Sequence, residues 1–163
     1  MKNKILNYTF QSILVISFLI SFSTKTYSQL KIVALGDSLT EGFGVRNEEA
    51  YPSLLQEELL KKGYKVKVIN AGVSGSTSAS AYSRLKWHMR IYPDIVILAL
   101  GGNDGLRGLD LVHMKNNLIK AIELAKSKKV QILLAGMQIP PNYGKKYAES
   151  FKEVFYELAR EYQ

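Results

Sequence analysis

The chain of 163 residues contains no cysteine. That excludes a disulfide framework, a thiolate metal site and a lipid-modified cysteine anchor. Histidine is nearly as scarce, with His88 and His113 the only two, so an imidazole base drawn from these residues has just two candidates. Acidic residues are also few, 14 against 22 Lys and Arg, for a formal charge of +8. Lys2, Lys4 and Lys25 account for three of those charges in an acid-free first 28 residues, leaving +5 on the remainder. The other lysines gather at predicted helix ends, Lys61-Lys62 and Lys126 with Lys128-Lys129, where they complement the negative end of the helix dipole. No cationic stripe interleaved with aromatics and no nucleic-acid module is present, so nucleic acid is not an expected partner.

No apolar run is long enough to be a membrane span. The run from Ser12 to Phe22 has eleven residues, where a spanning helix needs about 20. Lys2 and Lys4 precede it, and Thr26-Tyr27-Ser28 offers small residues before a cut ahead of Gln29. This layout predicts a secretory signal peptide over residues 1–28, export to the periplasm or the medium, and no stable membrane span after cleavage. The remaining 29–163, ordinary in its apolar and charged content, is sized for one domain.

The stretch on which that domain turns is Leu30 to Gly44. An apolar run, Ile32-Val33-Ala34-Leu35, leads into Gly36-Asp37-Ser38-Leu39 and then Gly42-Phe43-Gly44. A short apolar run ending in glycine predicts a buried strand that turns sharply. In open α/β sheets the carboxyl ends of the strands are where chemistry sits. A serine on such a turn has an exposed hydroxyl with backbone N–H groups nearby, which makes Ser38 the first candidate nucleophile.

Further along, Leu54, Leu55, Leu59 and Leu60 predict a helix over Tyr51–Lys62, stopped by Gly63. Tyr64–Ala71 alternates Lys with Val and Ile as a strand, and Ser76–Trp87 is a predicted helix. Ile95–Leu100 is a continuous apolar run, the signature of a central parallel strand buried on both faces. A helix follows over Leu111–Lys128, a fourth strand over Val130–Met137, and a last helix marked by Phe151, Val154, Phe155, Leu158 and Ala159. Alternating strands and helices predict an α/β fold with helices on both faces of a parallel sheet.

Three of these strands end in small, glycine-bearing turns: Gly36-Asp37-Ser38, Gly72 to Thr77, and Gly101-Gly102-Asn103-Asp104. In a parallel sheet they meet at one edge. A serine, glycine N–H groups and an asparagine amide together fit a hydrolase with an oxyanion hole, where each aimed donor is worth roughly 10²- to 10³-fold in rate.

These three turns, in this order and spacing, resemble the first three sequence blocks of the SGNH (GDSL) hydrolases. Gly105-Leu106-Arg107-Gly108 and Pro140-Pro141-Asn142-Tyr143-Gly144 extend the likeness toward the secreted bacterial thioesterase/lysophospholipase (arylesterase) branch. The resemblance implies a flavodoxin-like three-layer αβα fold and Ser38 as nucleophile. It implies an oxyanion hole made by the Ser38 N–H, the Gly75 N–H and the Asn103 side chain, with Gly72 serving the turn and Asp37 holding it by hydrogen bonding. Asn142, Tyr143 and the Gly105–Asp110 loop would wall the acyl site. Substrates would be acyl esters, thioesters or lysolipids, handled by a monomer with no cofactor and no metal.

The pattern breaks at its end. Family members close with an aspartate three residues before a histidine near the carboxyl terminus, and the sequence stops short of that block. Asp110-Leu111-Val112-His113 has the spacing but reads as a helix start with Asp110 as N-cap, and His88 reads as a surface or packing residue. The expectation is four strands with a fifth missing, and weak turnover for these residues alone. The alternative is a non-catalytic binder of acyl ligands or glycans that keeps the pocket without the base. A nucleotide-binding domain is disfavoured, since no P-loop occurs and Asn47 stands where a dinucleotide fingerprint needs glycine. Thr40 likewise breaks the Gly-x-Ser-x-Gly elbow of an α/β-hydrolase.

Overall fold

The computed structural model describes residues 29–162. The predicted signal peptide, residues 1–28, lies outside them. Four strands, β1 (Leu30–Gly36), β2 (Val66–Gly72), β3 (Ile95–Ala99) and β4 (Gln131–Leu134), form one sheet in the order β2-β1-β3-β4. Every pairing is parallel. The helices between and after them are α1 (Ser38–Glu41), α2 (Tyr51–Lys61), α3 (Ala81–His88), α4 (Gly102–Leu106), α5 (Leu111–Ser127) and α6 (Lys145–Glu161).

Position in the sheet follows the apolar pattern. β1 is buried over its last five residues and β3 has Val96, Leu98 and Ala99 buried, whereas at the two edges β2 buries only Val66 and Ala71 and β4 alternates exposed with part-buried positions. The main core joins the sheet to one face of α5, through Met114, Leu118, Ala121, Ile122 and Ala125, and to α6, through Phe151, Val154, Phe155 and Leu158. No described helix is long and apolar enough to cross a membrane.

Some expected boundaries shift. The helix predicted over Ser76–Trp87 opens with a 3-10 turn, Ser78–Ser80, and becomes α-helical only from Ala81. Ser78 there gives its N–H and hydroxyl to Asp104, and Ser80 donates to Thr77 C=O in a tighter turn than an α-helix makes. β4 is shorter than Val130–Met137, although Ala135 N–H still donates to Leu98 C=O at 3.0 Å. α6 starts at Lys145, before Phe151, because Tyr147 and Ala148 extend its apolar face by a turn and pack against the core. α1 and α4 are each too short to show a period of 3.6 in sequence.

Candidate active site

Parallel pairing with matched register sets the site. Gly36, the last residue of β1, is level with Gly72 of β2 on one side and Ala99 of β3 on the other. The three glycine-bearing turns therefore leave the sheet side by side at its carboxyl edge.

In the first turn Asp37 is 97% buried and caps α1, its Oδ1 accepting the Leu39 N–H at 3.1 Å. Ser38 is the first residue of the helix, half-buried, and its carbonyl accepts the N–H groups of Gly42 and Phe43 at 3.1 and 3.0 Å. The second turn lies tight against α1. A Cβ built on Gly72 would stand 2.0 Å from the Glu41 backbone nitrogen, so only glycine lets β2 end so close. Gly75 takes φ +75°, the left-handed region that glycine enters without penalty.

The third turn knits the other two together. The Asn103 side-chain amide donates to Ser76 C=O at 3.0 Å and to Asp37 Oδ2 at 3.3 Å. One amide thus touches the neighbour of Ser38 and the neighbour of Gly75. Next to it, buried Asp104 accepts the Ser78 N–H at 2.8 Å and the Ser78 hydroxyl at 2.6 Å, while the Asn117 amide donates to Ser78 Oγ at 3.1 Å. Carboxylate hydrogen bonds of this kind are among the stronger ones. They tie the start of α4 to the segment after the second turn.

Arg84 of α3 braces the strand ends from beneath. Its Nη2 donates to Gly36 C=O at 3.0 Å and to Ala71 C=O, and its Nη1 is buried without a partner among the described residues. Burial lowers the Arg84 pKa, opposed by the negative charge of Asp37. Burial also raises Tyr51, whose hydroxyl lies 3.3 Å from Thr40 Oγ1 behind α1.

Ser38, Gly75 and Asn103 thus share one edge and one hydrogen-bonded neighbourhood. Asn142 and Tyr143 lie in a 3-10 turn, Pro141–Tyr143, between β4 and α6, and neither side chain hydrogen-bonds to that trio. The Gly105–Asp110 loop is anchored at both ends. Arg107 Nη2 donates to Gly75 C=O at 3.0 Å, and the Tyr147 hydroxyl donates to Leu109 C=O at 2.7 Å. His113 is exposed in the first turn of α5, where Asp110 caps its N–H at 2.8 Å. His88 ends α3, and burial, then the nearby Arg84 charge, hold it below the ordinary 6.5. Among the described residues neither histidine hydrogen-bonds to Ser38. A cleft of about 1120 Å³ opens at the opposite end of the strands, beside Leu30, Asp94 and Gln131, and contains none of the trio.

The parts played by Asp104 and Arg84 have no clear mark in the sequence. Asp104 stands in the third glycine-bearing turn, but only its burial marks it as structural. Arg84 directly precedes the apolar Leu85 on a helix, a placement that hints at a buried guanidinium without naming its acceptors.

The profile of the GDSL-like lipase/acylhydrolase family matches residues 34–163. An arylesterase of Vibrio mimicus is 37% identical over 151 residues, spanning 91% of this chain and 76% of that protein. Esterase TesA of Pseudomonas aeruginosa is 37% identical over 133 residues, spanning 81% of this chain and 66% of that one. Thioesterase 1/protease 1/lysophospholipase L1 of Escherichia coli K12 is 33% identical over 146 residues, spanning 89% and 69%. The crystal structure of AlinE4, an SGNH-hydrolase family esterase, is similar with TM-score 0.79 at 39% identity, covering 85% of this chain and 75% of that one. The crystal structure of TesA gives TM-score 0.78 at 36% identity, covering 80% and 73%.

Proposed function

Because the chain belongs to the GDSL-like lipase/acylhydrolase family and is by family an esterase/thioesterase-type hydrolase, we propose that Ser38 is its nucleophile toward acyl esters and thioesters. The observation that carries this reading is the shared level of Gly36, Gly72 and Ala99, which brings three short polar turns to one edge, with the Asn103 amide bridging two of them.

Ser38 Oγ attacks the acyl carbon, and the carbonyl oxygen gains the negative charge. The Ser38 N–H, the Gly75 N–H and the Asn103 amide receive that oxyanion. Asn103 is held by its shorter bond to Ser76, so the longer contact to Asp37 is the one an oxyanion can share. Collapse of the tetrahedral adduct expels the alcohol or thiol and leaves an acyl-serine, which water then cleaves. Asn142, Tyr143 and the Gly105–Asp110 loop line the acyl side, and the substrates extend to arylesters and lysolipids, as the names of the relatives suggest. Residues 1–28 direct export to the periplasm or the medium.

The proton of Ser38 needs an acceptor, and neither described histidine bonds to it. Loss of such an acceptor costs up to about 10⁶-fold in turnover. The test reads hydrolysis of a short-chain p-nitrophenyl ester and, by intact mass, labelling with a fluorophosphonate. Ser38→Ala is expected to abolish both. Labelling that persists in Ser38→Ala would refute the assignment.

A further inference from the structure

Resting on that reading, we propose that Glu41 and Arg107 are positioning residues that hold the second turn against α1 and the end of α4, so that the Gly75 N–H stands where an oxyanion needs it. The second turn runs from Val73 to Ser76 and is closed by the Ser76 N–H donating to Val73 C=O at 3.2 Å. Gly75, in its third position, has positive φ, and Ser74, in its second, does not. That combination is the pattern of a type II turn. In a type II turn the central peptide, here Ser74–Gly75, is rotated by about half a turn from its type I orientation. A flip between the two states turns over the central peptide alone and leaves the peptides on either side nearly still, so tethers on those two fix where the turn sits and hence the point from which the Gly75 N–H is presented.

Two side chains grip the turn on either side of that peptide. The Glu41 carboxylate accepts the Ser74 N–H at 2.9 Å and the Ser74 hydroxyl. Arg107 Nη2 donates to Gly75 C=O at 3.0 Å. The peptide before the central one and the peptide after it are therefore both tethered, one to α1 and one to the end of α4. The tethers start close to the other two members of the site: Glu41 is three residues after Ser38, on the same short helix, and Arg107 is four residues after Asn103, whose carbonyl accepts the Arg107 N–H at 3.2 Å. Ser38, Asn103 and the Gly75 peptide are thereby held in one frame. None of Glu41, Arg107 and Ser74 is itself an oxyanion donor, so their effect passes entirely through Gly75.

The experiment pairs steady-state hydrolysis of p-nitrophenyl acetate with the ¹H–¹⁵N cross-peak of Gly75 in the labelled chain. In Glu41→Ala and in Arg107→Ala that cross-peak should shift or broaden, and kcat should fall about tenfold with KM changed less than about twofold, a fraction of what a whole oxyanion donor contributes. Glu41→Gln, whose amide oxygen can still accept the Ser74 N–H, should restore the peak and most of kcat. Glu58→Ala, which removes an exposed carboxylate paired with Lys61 on α2, should leave both unchanged. A Gly75 peak that stays in place in both alanine variants overturns the proposal whatever kcat does, and so does a loss that appears in KM alone. If Ser38→Ala turns over the ester at the parent rate, the nucleophile reading fails, and the clamp is then decided by the Gly75 peak.

Discussion

Asn103 concentrates the chemistry of the site in one side chain. Its amide nitrogen carries two hydrogens, and both have acceptors, Ser76 C=O and Asp37 Oδ2. Replacement by alanine removes a proposed oxyanion donor and also leaves a buried carboxylate oxygen short of one partner. Asn103→Ala should therefore lower kcat by about 10²- to 10³-fold while KM stays nearly constant, because the bond to the oxygen strengthens only as charge develops. Steady-state kinetics on a p-nitrophenyl ester check this, and a change confined to KM would place Asn103 in substrate binding. Residue identities at this scale are legible in sequence, since serine, glycine and asparagine each sit at a predicted strand end. Their partners are not. The Asn103–Asp37 bond joins residues 66 apart and the Ser78–Asp104 pair residues 26 apart, and no periodicity encodes such distances.

Among the elements, α6 shows how packing reaches the site from behind. Phe151 is fully buried and meets Phe155 edge to face, with ring centroids 5.4 Å apart at 68°. The same ring packs against the backbone of α4, since a Cβ built on Gly105 would lie 2.7 Å from Phe151 Cε2. Phe151→Ala would thus open a cavity under the third turn as well as within the core, at a cost of about 3–5 kcal/mol. Chemical denaturation checks it through the midpoint at constant slope, and a loss below about 1 kcal/mol would mean that α6 collapses into the space. The apolar face of α6 is legible from Phe151 onward because its residues recur at helical spacing. The same face continues back into its opening turns, where Tyr147 and Ala148 stand four and three residues before Phe151 and pack against the core. α1 has no signal of its own. It forms because Asp37 caps it and Gly42 ends it in the left-handed region.

For the molecule as a whole, charge and sheet edges decide behaviour. Burial, aided by the Arg84 charge, keeps the folded pKa of His88 below the 6.5 it has when unfolded. The unfolded chain therefore binds the proton more readily, and the His88 contribution favours folding fully above 6.5, then declines as pH falls toward the lowered folded value. The thermal midpoint should drop between about pH 7 and pH 5 by more in the parent than in His88→Gln. Parallel curves for the two proteins would exclude it. The edges differ in their protection. β2 carries Lys67, whereas β4 reads Gln-Ile-Leu-Leu with Leu133 59% exposed, and beside it runs a groove of about 240 Å³ lined by Leu134, Met137, Phe155 and Tyr156. Within the described residues β4 is thus an uncharged, apolar edge of the kind that pairs with other strands. Against this stands the charge of +5 on residues 29–163, whose repulsion acts over a Debye length of about 8 Å at 0.15 M salt and about 3 Å at 1 M. The chain should accordingly be monomeric in dilute buffer and associate as salt rises, and Leu133→Lys should suppress that association by placing a charge on the edge itself. Light scattering across a salt series reads both effects, and association that is insensitive to Leu133→Lys would locate the sticky surface elsewhere than β4.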